Sequence, residues 1–209
     1  WQQHVPPLTP PWPGKLLSLT YSNPRTLEPR ELSFVPGTGE TPVPKTNTLN
    51  LWMYRRISDP TLVTTQPRTS GISIVNWPQN DYMLGAITQN DAAARQLHLE
   101  ASRQLSLSFM YWMQTEAPRP DGGQGWPGLR MRGDIVGTDD GLAKYPYIRE
   151  ARRIQSEFTI LDQHLTREAR RAVAAYKTAP LRAAEFADSV VVGYYALDLH
   201  PRVGGANYL

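Results

Sequence analysis

There is no cysteine among the 209 residues. That excludes disulfides, thiolate metal sites and a cysteine nucleophile, while leaving the compartment open. No stretch of the sequence approaches the roughly 18 uninterrupted apolar residues of a membrane span. Neither sign of charge dominates, since 22 Lys and Arg stand against 19 Asp and Glu for a formal net charge of +3. The basic residues are scattered, without the stripe or motif that marks a nucleic-acid binder. His4, His98, His164 and His200 show no metal-ligand spacing. A Walker loop, an H-E-x-x-H pair and a G-x-S-x-G elbow are all missing. No signal-peptide pattern opens the chain, and its first residue is Trp1 rather than Met, which predicts further sequence upstream or on another chain.

What the sequence has in plenty is proline and large aromatics, with 19 Pro, 6 Trp and 10 Tyr. This mixture suits ordered irregular connections clamped by aromatic packing better than a helical bundle. Pro6, Pro7, Pro10, Pro11 and Pro13 forbid a helix at the start and favour extended backbone, with Trp1 and Trp12 as pins. A loose tail is the other reading of that stretch. A loop over 36–47 follows, marked by Gly37, Gly39, Pro42 and Pro44.

Alternating large side chains over Thr48–Ile57 predict a strand, and Gly71–Trp77 predicts a second, more buried one. The clearest element is a helix from Ala92 to about Glu116, capped by Asn90 or Asp91 and free of Gly and Pro. Leu97, Ala101, Leu105 and Trp112 fall near one face of it. Its last turns, Leu105–Met113, are apolar almost all round and require burial on several sides. Left bare, the Phe109–Met113 end would be a sticky surface, and it predicts tight association with a second chain or with other segments. Further strands are expected at Leu129–Val136, Phe158–Leu161 and Ser189–His200, and an amphipathic helix at Asp162–Lys177.

Gly123, Gly125 and Gly128 spell G-x-G-x-x-G, but the residues before them (APRPDG) are no apolar strand, and Trp126 and Pro127 do not suit a turn into a helix. Without that setting the letters do not place a helix N-terminus on a pyrophosphate. Three other constellations carry chemistry. Trp77, Asn80, Asp81 and Tyr82 gather at the end of an expected buried strand, where polar groups line a cleft or merely satisfy a turn. Tyr147-Ile148-Arg149-Glu150-Ala151-Arg152-Arg153 sets three guanidiniums beside one carboxylate, fit for binding an anion or for a salt-bridged surface. On a strand, Tyr194, Asp198 and His200 share a face, and an Asp–His pair there serves proton transfer or a structural hydrogen bond.

The run GTDDGLAKYPYIREARRI, then FTILDQHL, then FADSVVVGYYALDLHPRVGGANYL resembles a family of FAD-dependent oxidoreductases. Members carry similar YIRESRRI, LTEQD and DSIGIGSYPIDLH signatures, and Trp77–Tyr82 looks like the family's WP-x-NDY loop. The resemblance covers about Gly71 to Leu209 and departs from the family at Val191, Val192 and Tyr194. It implies a substrate region over 48–209 preceded by a Pro-rich arm over 1–47. The dinucleotide-binding fold would then lie on a second chain or segment.

The expected fold is α+β, a mixed or largely antiparallel sheet with helices on one face, completing a two-domain flavoprotein with segments outside this chain. FAD is the implied cofactor, and a small alcohol, amine or related molecule the implied substrate. His200 would then accept a proton, Asp198 orient it and Arg149 stabilise an anion or neighbour the flavin. Arg152 and Tyr147 would neighbour the flavin, and Trp77, Asn80, Asp81, Tyr82 and Tyr194 would meet the substrate. A different class of reading is a non-catalytic module whose Trp and Tyr stack on a sugar or peptide. Neither reading involves a metal, nucleic acid or a membrane span.

Overall fold

The structure, a computed structural model, describes residues 17–22, 28–34, 50–62, 70–77, 81–82, 84–88, 91–148, 155–173, 182–191 and 193. The described residues up to 148 belong to one compact unit, and those from 155 onward to a second.

The backbone of the first unit is one long helix. Asp91 adopts an extended conformation, and its carboxylate accepts from the N–H groups of Ala93 and Ala94 at 2.9 and 3.2 Å. That satisfies two of the donors that a helix leaves unpaired at its start. The helix then runs over Ala92–Thr115 (α2, since a short α1 precedes it), as the composition predicts. Glu116 and Ala117 both donate to the Trp112 carbonyl, and Pro118, lacking an N–H, ends the element.

The helix is half in and half out of the core. Leu105, Ser108, Phe109, Met110, Trp112 and Met113 are buried, whereas Leu97 is 67% exposed. The bare apolar end expected at Phe109–Met113 is therefore corrected: the chain covers it itself. Phe34, Leu51, Trp77, Ala117 and Leu129 close around it in a single cluster. Phe109 stacks on Trp112 at 5.7 Å, and Phe34 meets Trp52 and Trp126 edge-on at 6.0 and 6.3 Å. Leu97 lies outside the apolar face proposed for it.

The described strands form two antiparallel pairs, which with the helices make an α+β fold. Thr20–Ser22 (β1) pairs with Pro29–Glu31 (β2), and Leu19 and Leu32 beside them pack on the core. The expected strand over Thr48–Ile57 is largely replaced. Asn50 accepts from the Trp52 N–H at 3.0 Å and starts a one-turn helix, Leu51–Tyr54 (α1). Only Arg56–Ser58 (β3) is strand, pairing through a bulge with Ile72–Ser73 (β4). A side chain that caps a turn competes directly with an alternating pattern. Ile72 is buried, but Ile74 and Val75 of the expected buried strand are exposed.

The strand expected at Leu129–Val136 is also corrected. Arg132 donates to the Asp134 carboxylate through Nε at 2.8 Å and Nη2 at 2.6 Å, and Gly133–Val136 turns as a short helix (α3). Gly137, at φ 74°, ends it in the left-handed region.

In the second unit, Phe158–Leu161 is not a strand. The expected single helix splits into Asp162–Leu165 (α4) and Arg167–Val173 (α5). Thr166 is extended between them, and its hydroxyl accepts from the Ala169 N–H, so it caps a new helix instead of continuing the old. Phe158, His164 and Phe186 pack with ring centroids 5.3 to 5.8 Å apart. The strand expected from Ser189 does not begin there, and Val190 is 97% exposed. The rest of that strand, at 192 and 194–200, lies outside the described residues.

Candidate functional site

The loop after β4 carries the first of the three constellations. Trp77 is 4% exposed and belongs to the core, and its buried Nε1 has no hydrogen-bond partner among the described residues. Asp81 and Tyr82 follow as half-buried residues, and Asn80 lies outside the described ones. The Tyr82 hydroxyl stands 2.9 Å from Nδ1 of His98 on α2, with the rings 5.8 Å apart and tilted by 47°. Burial pushes the Tyr82 phenol above its ordinary value, so it stays protonated. Gly85 lies against the same imidazole, and a Cβ there would stand 2.0 Å from Nε2.

His98 is the residue that sequence reasoning missed as part of this group. In the sequence His98 stands only as one of four histidines without metal-ligand spacing. The available signal was its place two turns before Leu105 on the face that enters the core.

The second constellation is approached through a turn fixed by Asp139, Asp140 and Gly141. One Asp140 carboxylate oxygen accepts from the Leu142 N–H at 3.0 Å, and the other from Nη2 of Arg103 on α2. Thr138 donates to the Leu142 carbonyl at 2.6 Å, and Gly141 takes φ 74°. This turn delivers Lys144–Ile148 to the surface, where Tyr145 and Tyr147 are 82% and 80% exposed. Arg149 and Arg152 lie outside the described residues, as do Tyr194, Asp198 and His200 of the third constellation. Of the expected site residues, the described ones are thus Trp77, Asp81, Tyr82 and Tyr147.

Within the glycine triplet, Gly125 is a packing residue. Gly125, at φ 68°, donates to the Ala117 carbonyl at 2.8 Å, and Trp126 donates to the Met113 carbonyl at 2.9 Å. A Cβ on Gly125 would stand 2.4 Å from the Gln114 carbonyl oxygen. The loop therefore seals the C-terminal end of α2, and Arg119 lies over the Trp126 ring at 4.9 Å. No strand leads into these glycines and no helix opens at them, so the triplet does not fit the pyrophosphate of a flavin dinucleotide. Among the described residues no cluster of three or more His, Asp or Glu could hold a metal ion, and no helix is long and apolar enough to cross a membrane.

No curated protein and no solved structure shows significant similarity to the chain. The family model described as FAD dependent oxidoreductase matches residues 20–208, nearly the whole chain and all three constellations. This chain belongs to the FAD dependent oxidoreductase family.

Proposed function

We propose that this chain is the substrate-facing part of an FAD-dependent oxidoreductase that oxidises a C–H bond of an alcohol, amine or related small molecule. The observation that carries the reading is the family match over residues 20–208, spanning every motif with chemical potential. In this reading the chain completes a two-domain flavoprotein. Its helices cover one face of a mixed or antiparallel sheet, and a second chain or segment brings the dinucleotide-binding fold. The arrangement around Gly125 supports that division, because Gly125 packs on the end of α2 and no helix opens at the triplet to receive a pyrophosphate.

A bound flavin supplies an acceptor for the hydride. The residues of this chain supply position and proton transfer. His200 accepts the proton of the substrate O–H or N–H as the C–H bond breaks, leaving a carbonyl or imine product. Asp198 orients the imidazole, and Arg149 stabilises developing negative charge as a planar, permanently charged fork. Arg152 and Tyr147 border the flavin ring, and Tyr147 has the exposure such a role needs. Trp77, Asn80, Asp81, Tyr82 and Tyr194 form the substrate side, with Trp77 anchoring its loop in the core.

The test is anaerobic stopped-flow reduction of the flavin-loaded protein, with any co-purifying chain, across pH. His200→Asn keeps much of the side-chain size and removes the titration. It is expected to bind flavin normally but to slow reduction by about two to four orders of magnitude, the usual scale for losing a general base. Wild-type rate and pH profile in that variant would refute the role of His200. A protein that purifies without flavin and takes none up would sink the whole reading.

A further inference from the structure

We propose that His98 is a positioning residue: its Nδ1 holds the Tyr82 hydroxyl and so clamps the candidate substrate loop onto helix α2. The inference rests on the reading of Trp77–Tyr82 as the substrate side, and it assigns the part that keeps that side in place.

Three observations converge on this imidazole. Nδ1 is 2.9 Å from the Tyr82 oxygen, within ordinary hydrogen-bond range. The two rings also pack, with centroids 5.8 Å apart. On the other edge, Gly85 approaches so closely that a Cβ would stand 2.0 Å from Nε2 and 2.1 Å from Cε1. The ring is therefore held between two residues of the same loop, one before and one after Met83. With Gly85 on the Nε2 side and Tyr82 on Nδ1, His98 acts through the loop.

Burial raises the Tyr82 phenol above its ordinary value, and the neutral hydroxyl has a proton to donate as well as lone pairs. In the proposed clamp the Tyr82 O–H donates to Nδ1, which requires the imidazole proton to sit on Nε2. The phenolic oxygen keeps lone pairs for a second partner, which is how a held tyrosine can still meet a substrate. Helix α2 is a firm base for such a clamp because its C-terminal half is locked in the core.

Side-chain geometry provides a sharp test. Asparagine places its Oδ1 near the position of a histidine Nδ1, whereas phenylalanine keeps the ring and removes the acceptor. The full-length flavin-loaded protein would be compared as wild type, Tyr82→Phe, His98→Phe, His98→Asn and Gly85→Ala. Nitrogen-15 NMR of the imidazole reports which nitrogen carries the proton, and amide hydrogen exchange at Gly85, Ile87 and Thr88 reports how firmly the loop is held.

Wild type is expected to show an unprotonated Nδ1. Exchange in the loop should accelerate about fivefold in Tyr82→Phe and His98→Phe, the scale of one net hydrogen bond. Gly85→Ala should do the same by displacing the ring, and His98→Asn should restore slow exchange. Exchange in His98→Asn as fast as in His98→Phe overturns the proposal, as does an Nδ1 signal unaffected by Tyr82→Phe. Initial rates of flavin reduction by a series of small primary alcohols and amines form a separate arm. A KM raised about fivefold in His98→Phe with kcat retained supports positioning for substrate. Faster loop exchange with unchanged KM would remove the loop from the substrate site while leaving the clamp itself standing.

Discussion

Replacing Gly125 by alanine distinguishes a glycine that serves packing from one that serves a nucleotide. The residue sits at φ 68°, in the left-handed region, where a side chain costs about 1–2 kcal/mol. Its new Cβ would also lie 2.4 Å from the Gln114 carbonyl oxygen and 2.7 Å from the Thr115 Cα and carbonyl carbon, all backbone atoms of α2. Overpacking of that kind adds about 1–3 kcal/mol. The stiffer unfolded chain returns about 0.4–1 kcal/mol. The net expectation is a loss of about 3 kcal/mol, which for a chain of this size lowers Tm by about 6–12 °C. Gly128→Ala is the control, since nothing lies within 4 Å of its Cβ position. Differential scanning calorimetry and flavin content, measured on both variants, decide between the two roles. A Tm within about 2 °C of wild type for Gly125→Ala, well inside the expected drop, would refute the packing argument. Loss of flavin from both variants at unchanged Tm would point to a nucleotide cradle instead.

Asp91→Ala should cost about 1 kcal/mol of stability in urea unfolding, because two N–H groups at the start of α2 lose their acceptor. If Arg149 has the proposed anion-stabilising role, Arg149→Lys should slow flavin reduction about tenfold while leaving thermal unfolding unchanged, since an ammonium cannot reproduce a two-pronged contact. The carboxyls of Asp59, Asp121 and Asp134 are held below their ordinary value of 3.8, chiefly by the Thr61 hydroxyl, the Gly123 N–H and the Arg132 guanidinium respectively. Their folded values are depressed, so the stabilisation is complete above that ordinary value and is lost as pH falls through the folded ones. Urea midpoints should therefore drop in acid, and Asp59→Asn should flatten part of that slope. An unchanged slope would rule Asp59 out as a contributor.

The sequence made α2 legible because the helix is a local affair. A cap at Asp91, an uninterrupted run of helix formers and a terminating Pro118 each act only on residues a few positions away. Thr48–Ile57 misled because alternation is blind to Asn50, whose side chain captures the Trp52 N–H and starts a turn. Thr166 hides in the same way, since one hydroxyl divides an apparently continuous helix. In the candidate site, Tyr82 was readable from its motif, whereas its partner His98 lies 16 residues away on another element. No periodic pattern reports a pairing between a loop and a helix. Phe109–Met113 was readable as apolar but not as covered, because the covering residues come from far along the chain on both sides.

That last arrangement has a consequence for the nascent protein. Phe34 and Leu51 leave the ribosome well before the helix end they cover, and Trp126 and Leu129 follow later still. A fragment stopping short of Leu129 holds Phe34, Leu51, Trp77 and the helix end but lacks the last residues of the cluster, so its core stays incomplete until they emerge. Until then α2 can form, but the core cannot. Synthesis of this chain should accordingly pass through a long interval of exposed aromatics, during which chaperone binding competes with aggregation, ended by the arrival of a short proline- and glycine-rich loop.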